Sequence, residues 1–562
     1  MDVVRQKIID MVGDETGVEV SPDEVRPSPK GGWGIAFGFK CAKLEKRPPD
    51  EIAKGAAEKI KPSGIIKKVF SDGAYLNFEL DYEKLFDILQ SWNNEFEKKD
   101  EVILLEHTSV NPTGPFHVGR IRNTLIGDSL KRILKYSGYN VKTHYFVNDI
   151  GKQVAIISHG LESKVGPDKN LQRNYGKYSS KQDYEILFTY VGANSLYEQD
   201  RQFGDEVDSL IVKAESGDRE SLEKITSAAK LALQGQCETL GRIDVEFDSF
   251  DFESEGLLDG SVDDILEKCR GSRLYNQGDV GEGLDLQEYG IKKRSGFSVL
   301  ARSDGTSVYL LRDLAYHIKK TSKADKLINV LGEDHKLQFK ELKTILNKVL
   351  GIQKKIEVVH FSFVNFEGVK FSTRKGDIAT VDELLDQAQE KALEEIRKRE
   401  IGDEKNAEII GIGAVKFHII KTTPNKQITF RWEDCLNFDG ETAPYIQYAF
   451  ARSHHILQKA KLDIHGISDL DSSNLTSFEE ELIEKLLDFK AAVSESAVHL
   501  RPDLIASYLV DLTACFGRFY LNCPVLDSEE KIMKRRLFLV KCLNNTISDG
   551  LYLLGINSPD SM

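Results

Sequence analysis

The chain has 562 residues, of which 40% are hydrophobic and 30% charged, and its 76 Lys and Arg against 90 Asp and Glu give a formal net charge of -14. These ordinary globular values exclude intrinsic disorder, collagen-like repeats and coiled-coil fibres, and the length requires several domains. A protein that coats itself evenly with nucleic acid would be basic, so any contact with phosphate must come from local patches.

The cysteines and the apolar segments place the chain in a broad class. The seven cysteines are scattered and none forms a C-x-x-C pair, so we expect reduced thiols and neither zinc nor any other metal site. The opening segment is charged from Asp2 and lacks the apolar core of a signal peptide. No stretch approaches the roughly 18 apolar residues of a membrane span, so we expect a cytoplasmic protein without a membrane partner.

Residues 1–95 are predicted to form a small α/β domain. Apolar residues at helical spacing predict an opening helix and a second helix at 48–60, and 74–78 is a predicted strand. The glycine-rich segment 31–34 predicts a tight turn that packs one aromatic residue, Trp33. The charged run at 94–101 is interpreted as a linker.

Residues 96–400 are predicted to form an α/β domain with a parallel sheet. Apolar runs predict strands at 102–105, 141–147, 327–331 and 356–363. A helix that ends at Gly138 separates the first two strands, which makes a βαβ unit. A polar stretch at about 155–270 is interpreted as a helical insertion, and strand patterns disappear after about 405, so 401–562 is predicted to be all-helical.

A proline- and glycine-rich loop follows the first buried strand. It reads Glu106-His107-Thr108-Ser109-Val110-Asn111-Pro112-Thr113-Gly114-Pro115-Phe116-His117-Val118-Gly119-Arg120. Open α/β sheets bind ligands at the carboxyl ends of strands, where free N–H groups and the helix dipole favour an anion. His117 can donate to a phosphate, and Gly119 lets a flat ring approach the backbone. A turn with one polar histidine is the alternative, because H-x-G alone is common.

A second loop, Gly368 to Asp377, follows the last predicted strand. It carries Lys370, Arg374 and Lys375 between glycines. These cations suit a triphosphate, because charge-assisted hydrogen bonds would stabilise the charge that builds on departing pyrophosphate. An exposed basic turn is the alternative.

The two loops together resemble the paired signatures of class I aminoacyl-tRNA synthetases. His117-Val118-Gly119-Arg120 matches the first signature, and Lys370-Phe371-Ser372-Thr373-Arg374 matches the second, the lysine-serine loop. Longer phrases narrow the resemblance to the arginyl-tRNA synthetases and cover nearly the whole chain except about 155–240. These phrases lie at 111–115, 145–149, 303–306, 309–317 and 443–449.

The resemblance implies a fold and a reaction. It implies a Rossmann-type catalytic domain at 96–400, an N-terminal domain at 1–95 that touches the tRNA elbow, and a helical anticodon-binding domain at 401–562. ATP, Mg²⁺, L-arginine and arginine tRNA would be the reactants, and monomer is the family default. Arginyl adenylate would form with tRNA already bound, and arginine would then pass to the terminal ribose 2′-OH.

Two positions depart from the family pattern. Arg120 replaces a second histidine that contacts arginine in relatives, and a cation there would repel the substrate, so Arg120 is expected to face phosphate or a carboxylate instead. Thr373 replaces the second lysine of the lysine-serine loop, and Arg374 or Lys375 is expected to supply the displaced charge.

A guanidinium pocket needs carboxylates and fixed acceptors, because the group is always charged and has only donors. Such a pocket rejects lysine by a factor of order 10⁴, so no editing domain is required. The alternative for Asp313 is a cap on a helix at Leu314–Lys320. The resemblance assigns Asn111, Tyr309 and Asp313 to the amino acid. The full set of arginine-binding candidates is Glu106, Ser109, Asn111, Tyr309, Asp313 and Asp334.

The remaining assignments concern ATP and tRNA. His117, Gly119, Gly332, His335, Lys370 and Ser372 are predicted to bind ATP, and His117, Lys370, Arg374 and Lys375 to stabilise the transition state. His335 has a structural loop histidine as its alternative. Tyr445, Tyr448, Arg452 and Trp33 are predicted to contact tRNA. Core packing is preferred for Phe78, Phe450 and Tyr520.

Two other functions remain open from the sequence. Another class I synthetase, such as the cysteine or glutamate enzyme, is one, although the dispersed cysteines disfavour the cysteine enzyme. A synthetase-like tRNA-binding protein without activity is the other, supported only by Arg120 and Thr373.

Overall fold

The computed structural model describes residues 2–91, 93–367, 379–400, 403–460, 470–559 and 561–562. It confirms the predicted fold class, with a parallel-sheet Rossmann-like region and a helical C-terminal region. All of the lysine-serine loop, including Lys370, Ser372, Thr373, Arg374 and Lys375, lies outside the described residues.

The N-terminal region packs four helices on an antiparallel sheet of order β1-β2-β4-β3. Its elements are α1 (Asp2–Thr16), β1 (Arg26–Pro27), β2 (Trp33–Ile35), α2 (Phe37–Glu45), α3 (Pro49–Lys59), β3 (Ile66–Asp72), β4 (Tyr75–Leu80) and α4 (Tyr82–Ser91). The two predicted helices and the predicted strand are confirmed. Gly32 has a φ of +70°, and a Cβ there would lie 2.1 Å from the Phe78 carbonyl oxygen, so only glycine fits the turn that leads Trp33 into the core.

The middle of the chain alternates strands and helices. In chain order these elements are β5 (Val102–Glu106), α5 (Ile121–Tyr136), β6 (Asn140–Val147), α6 (Lys152–Glu162), α7 (Lys169–Asn174), α8 (Gln182–Gln199), α9 (Arg201–Glu215), α10 (Arg219–Arg242), β7 (Ser249–Phe252), α11 (Ser254–Leu258), α12 (Ser261–Arg270), β8 (Tyr275–Gly278), β9 (Gly281–Leu284), β10 (Ser298–Arg302), α13 (Tyr309–Thr321), β11 (Lys326–Gly332), α14 (Lys336–Lys348), β12 (Lys355–Phe361), β13 (Val364–Phe366), α15 (Val381–Arg399), α16 (Ala407–Ile420), β14 (Ile428–Phe430) and α17 (Trp432–Cys435).

A five-stranded parallel sheet, β12-β11-β5-β6-β7, forms the core of this region. The four predicted strands are confirmed. The central strand β5 is apolar because both of its faces are buried, with Ile103, Leu104 and Leu105 almost inaccessible. Since the strands are parallel, the segments after β5, β6 and β11 all begin at the same edge of the sheet.

The predicted insertion at about 155–270 extends too far. Helices α6 to α10 form a helical body, but β7 lies inside that range and pairs with β6 in the main sheet. The four residues of β7 alternate polar and aromatic side chains, so no apolar run marks them as a strand.

The C-terminal region is a helical bundle. Its helices are α18 (Ala443–Ala460), α19 (Ser477–Leu487), α20 (Phe489–His499), α21 (Asp503–Asn522) and α22 (Glu530–Leu553). The expectation that strands end by about 405 is wrong, because β14 pairs with β13 beyond that point. By length and composition α21 could cross a membrane, but it packs against the other helices of the bundle with Leu509, Leu512 and Phe519 buried.

Candidate active site

The loop after β5 has a strained backbone that α5 holds in place. Thr108 and Ser109 have φ values of 77° and 48°, in a region that a β-branched residue such as threonine rarely adopts. Asn123 of α5 bridges the Thr108 backbone, accepting from its N–H at 3.0 Å and donating to its carbonyl at 3.3 Å. Such strain is typical of functional loops, and here it fixes the position of the residues that follow.

His117 caps the short turn Val118–Arg120. Its Nδ1 accepts the Gly119 N–H at 2.9 Å, so the neutral imidazole carries its proton on Nε2. Burial, and then the nearby Arg120, lowers the pKa of His117. The histidine is therefore a neutral donor through Nε2, as its predicted role requires.

A cavity of about 580 Å³ opens beside this loop. Asn111, His117, Gly119 and Arg120 line one side of it, so the structure brings these predicted residues together. Gln153, Leu187 and Tyr190 of the helical insertion line the facing side. The first signature therefore opens into a space large enough for a small-molecule ligand.

The segments on either side of the lysine-serine loop lie beside the first signature. The Val118 N–H donates to the Ala379 carbonyl at 3.1 Å, and the Val381 N–H donates to the Phe116 carbonyl at 2.7 Å. Before the loop, Phe363 and Val364 line the same cavity as His117. The described residues before and after the loop therefore both lie next to the first signature.

Helix α13 places three polar side chains on one face. It begins at Tyr309, so Tyr309, Asp313 and His317 follow one another at intervals of four residues. The cap alternative for Asp313 is wrong, because Val308 is the N-cap and Asp313 lies within the helix. Tyr309 and Asp313 therefore lie about one turn apart on the same face of α13.

Glu106 is paired with a buried lysine of α13. Its Oε2 forms an ion pair with the buried Lys320 and accepts from Asn329 Nδ2 at 3.1 Å. Lys320 is only 1% exposed. One oxygen of this carboxylate is therefore already engaged by a buried ammonium, and the contact of Glu106 with arginine stays a prediction.

The Asp313 carboxylate is partly open and ionised. Its Oδ1 lies 2.8 Å from His317 Nδ1. Burial alone would raise the pKa of Asp313, but the hydrogen bond from His317 and the Lys320 ammonium outweigh it, so the pKa lies below its usual value. A negative charge therefore persists at this position near neutral pH.

Tyr309 is held by Asn148, which follows β6. The Tyr309 O–H donates to Asn148 Oδ1 at 2.6 Å, while Asn148 Nδ2 donates to Glu253 at 2.7 Å and to the Ile150 carbonyl at 2.9 Å. Glu253 in turn pairs with Arg312. The Tyr309 oxygen is thereby left as an acceptor toward a ligand.

The remaining small-ligand candidates lie at two turns. The Ser109 hydroxyl is buried and has no hydrogen-bond partner among the described residues. Gly332 ends β11 and leads into a short turn, where Asp334 and His335 lie 3.7 Å apart with their side chains 53% and 36% exposed. The roles of Ser109, Gly332, Asp334 and His335 toward the substrates stay predictions.

A second cavity, of about 750 Å³, lies in the helical bundle. Tyr448 and Arg452 of α18 line it together with Tyr520, and the Arg452 guanidinium lies 4.7 Å and 4.6 Å from the centres of these two rings. Tyr445 is half-buried on the same helix. Phe450 is buried as predicted, but the core prediction for Tyr520 is wrong, because this residue is 39% exposed.

Trp33 is not available to stack on a base, which corrects its assignment to tRNA. It is 2% exposed, and its indole N–H donates to Glu484 of α19 at 3.2 Å. The exposed aromatic residues of the N-terminal region are Phe39 and Tyr75, 57% and 50% exposed, with ring centres 5.9 Å apart.

The sequence did not indicate roles for Asn148, His317 and Lys320. His317 and Lys320 follow Asp313 by four and seven residues. A helix predicted to begin at Tyr309 would therefore have placed them on the same face as Asp313. Asn148 lies in the phrase 145–149, but its contact with Tyr309 joins residues 161 positions apart, so no role was predicted for it.

Comparisons with known proteins show which family the chain is similar to. The family described as tRNA synthetases class I (R), catalytic domain, matches residues 85–432, and the DALR anticodon binding domain matches residues 446–562. The arginine–tRNA ligase of Methanocaldococcus jannaschii is 38% identical over 97% of this chain and 96% of its own length. That of Methanothermobacter thermautotrophicus is 37% identical over 98% and 97%.

A solved structure is similar over the whole chain. Thermus thermophilus arginyl-tRNA synthetase is 28% identical, with a TM-score of 0.82 over 99% of this chain and 100% of its own. On the identity and coverage of these relatives, the chain belongs to the arginyl-tRNA synthetases and is an arginine–tRNA ligase of class I.

Proposed function

We propose that the ligase reaction takes place at the sheet edge where β5, β6 and β11 end, between the signature cavity and one face of α13. The observation that carries this proposal is the pairing of an ionised Asp313 with an acceptor-oriented Tyr309 on that face. A guanidinium offers donors in a plane to such acceptors. Asn111 and Ser109 would hold the amino acid backbone, and Asp334 would contribute from the turn after β11.

ATP would bind across the signature cavity. The His117 Nε2–H would donate to phosphate, and Gly119 and Gly332 would let the nucleotide lie against the backbone. His335 and the loop residues Lys370, Ser372, Arg374 and Lys375 would contact the phosphates, and Arg120 on the cavity wall would turn to them as well. The flanks of the loop lie beside His117, which supports this role.

Mg²⁺ is assigned to the substrate. The described residues contain no group of three His, Cys, Asp or Glu side chains that could hold a metal ion. The ion would arrive bound to the phosphate oxygens of ATP, and the side chains named here would act on the phosphates directly. No zinc is proposed.

The reaction needs no covalent enzyme intermediate. A carboxylate oxygen of arginine attacks the α-phosphorus of ATP, the bond to the β-phosphate oxygen breaks, and pyrophosphate leaves. The terminal ribose 2′-OH of the tRNA then attacks the arginyl carbonyl carbon, loses its proton, and AMP departs. His117 and the basic loop would stabilise the charge on phosphate, so catalysis depends on position and electrostatics.

Arginine tRNA would contact the helical bundle and the N-terminal region. In the helical bundle, a base would stack in the cavity around Tyr448, Arg452 and Tyr520, with Tyr445 nearby. In the N-terminal region, the exposed pair Phe39 and Tyr75 would meet the tRNA elbow. We also propose a cytoplasmic monomer, and the seven free cysteines are in keeping with a reducing compartment.

The test is amino-acid-dependent exchange of pyrophosphate into ATP, run with each of the twenty amino acids and with or without arginine tRNA. We expect exchange with arginine alone and only when tRNA is present. Exchange with another amino acid would contradict the pocket assignment, and silence with arginine and tRNA would contradict the proposed catalytic site.

A further inference from the structure

The buried residues next to Asp313 determine which ring nitrogen of His317 carries its proton. We propose that His317 is a positioning residue, which holds the Asp313 carboxylate in the orientation that accepts the substrate guanidinium. The inference rests on the proposed assignment of arginine to Asp313. His317 is itself 2% exposed, so it acts through Asp313 and not on the substrate.

The tautomer of His317 follows from the groups around its Nε2. Lys320 Nζ lies 3.2 Å from this nitrogen, and so does Asn329 Nδ2. An ammonium has only donors, so Nε2 must accept. The imidazole is therefore neutral and its proton lies on Nδ1.

That proton is directed at Asp313. Nδ1 lies 2.8 Å from the carboxylate Oδ1 and 3.0 Å from the backbone carbonyl of the same residue. One N–H shared by these two acceptors fixes the side chain against its own helix. Among the described residues no other hydrogen bond reaches the carboxylate, which leaves Oδ2 for a ligand.

The charges of the same cluster match the substrate. Lys320 is paired with Glu106, and His317 is neutral, so Asp313 contributes the one uncompensated charge of this group. A protonated His317 would cancel that charge and weaken the attraction for a guanidinium. Asp313 is thus the charge of this cluster that a guanidinium would meet.

Two substitutions separate a positioning role from a structural one. His317→Leu removes the donor to Asp313, and we expect the KM for arginine to rise about tenfold or more, as for loss of a hydrogen bond to a charged group. His317→Asn offers an amide donor near the position of Nδ1 and should stay within about threefold of the native KM. In both variants the KM for ATP and the kcat at saturating arginine should change little.

The matched control is Lys319→Leu on the exposed side of the same helix, where the side chain pairs with Glu255. It should leave all these constants unchanged. The variant Asp313→Asn distinguishes the assignment of arginine to Asp313 from the positioning role of His317. If Asp313→Asn leaves the KM for arginine unchanged, the arginine assignment fails. If it raises that KM while His317→Leu does not, only the role of His317 is overturned.

A general packing role for His317 predicts a different pattern. In that case His317→Asn would be as impaired as His317→Leu, or the KM values for ATP and arginine would rise together. Either result would contradict the proposal, and thermal unfolding of each variant shows whether the protein is folded.

Discussion

Arg122, two residues after the first signature, is fully buried. Among the described residues its side chain forms no ion pair, and its partners are backbone carbonyls. Its guanidinium donates to the backbone carbonyls of Ser362 at 2.5 Å, Lys426 at 2.6 Å and Thr423 at 3.0 Å. Burial lowers the pKa of Arg122 to about 10. The side chain joins α5 to two segments that flank the active-site edge.

Arg122→Met should therefore destabilise the protein by about 3 kcal/mol, because it leaves several buried carbonyls without a donor. Thermal unfolding measures the effect, with Arg201→Met as the control at a site that is 95% exposed. Equal unfolding temperatures for the two variants would show that Arg122 has no such role.

Asn148 makes a separate prediction about arginine binding. Asn148→Ala removes the acceptor that orients the Tyr309 hydroxyl, so the KM for arginine should rise about tenfold. If Asn148 acts through Tyr309, its effect should shrink when Tyr309→Phe is already present. Steady-state kinetics of the two single variants and the double variant form this cycle, and fully additive effects would contradict the contact.

At the scale of elements, the sequence predicted what local patterns determine. Strand β5 was predicted because both its faces are apolar, and α5 because its buried side chains recur at helical spacing. Strand β7 was missed because its place in the sheet depends on its pairing with β6, not on its own residues. The start of α13 was placed five residues late because an aspartate before an apolar run also fits a helix cap.

In the candidate site, too, local patterns were predictable and long-range contacts were not. The signature loop gathers its residues along one stretch of chain, so His117 and Gly119 could be assigned together. The pairing of Glu106 with Lys320 joins residues 214 positions apart, and nothing local indicates it. Long-range contacts therefore set the surroundings of the predicted carboxylates, and local sequence patterns do not indicate them.

The contact between α8 and α15 predicts a pH dependence of stability. Asp183 is buried in the first turn of α8, its oxygens have no hydrogen-bond partner among the described residues, and Lys181 and Asp382 are the charged groups that face it. Burial raises the pKa of Asp183 from 3.8 to about 7. The folded state therefore holds this proton more tightly than the unfolded state, and the stabilisation is lost as the pH rises from about 4 to about 7.

Asp183→Asn removes this titration. Relative to the native protein, the variant should gain roughly 3 kcal/mol between pH 5 and pH 8, since each unit of pKa is worth about 1.4 kcal/mol. Thermal unfolding at the two pH values measures the difference. A constant offset between the two proteins at both pH values would contradict the assignment.

At the scale of the whole molecule, the N-terminal region is attached to the helical bundle. Trp33 and Tyr82 both donate to Glu484 of α19, at 3.2 Å and 3.1 Å, and Arg5 pairs with Glu495 of α20. Burial raises the pKa of Glu484. The two regions proposed to contact tRNA thus touch each other directly.

The exposed Phe39 and the buried Trp33 are expected to have different roles. Phe39→Ala should weaken tRNA binding about tenfold, as expected for loss of one stacking surface. Trp33→Phe keeps the packing but loses the bond to Glu484, so it should lower the unfolding temperature and leave tRNA affinity nearly unchanged. Filter binding of arginine tRNA compares the two, and a larger loss for Trp33→Phe would reverse the assignment.

The most direct test of the central claim is the ratio of kcat/KM for arginine to that for citrulline, which has a similar shape but no charge. In the native protein we expect a ratio of order 10⁴ or more, because an uncharged group leaves the Asp313 carboxylate unpaired. In Asp313→Asn the ratio should fall to about 10² or less, mainly through loss of arginine activity. A variant that retains the native ratio would show that the recognised charge is held elsewhere.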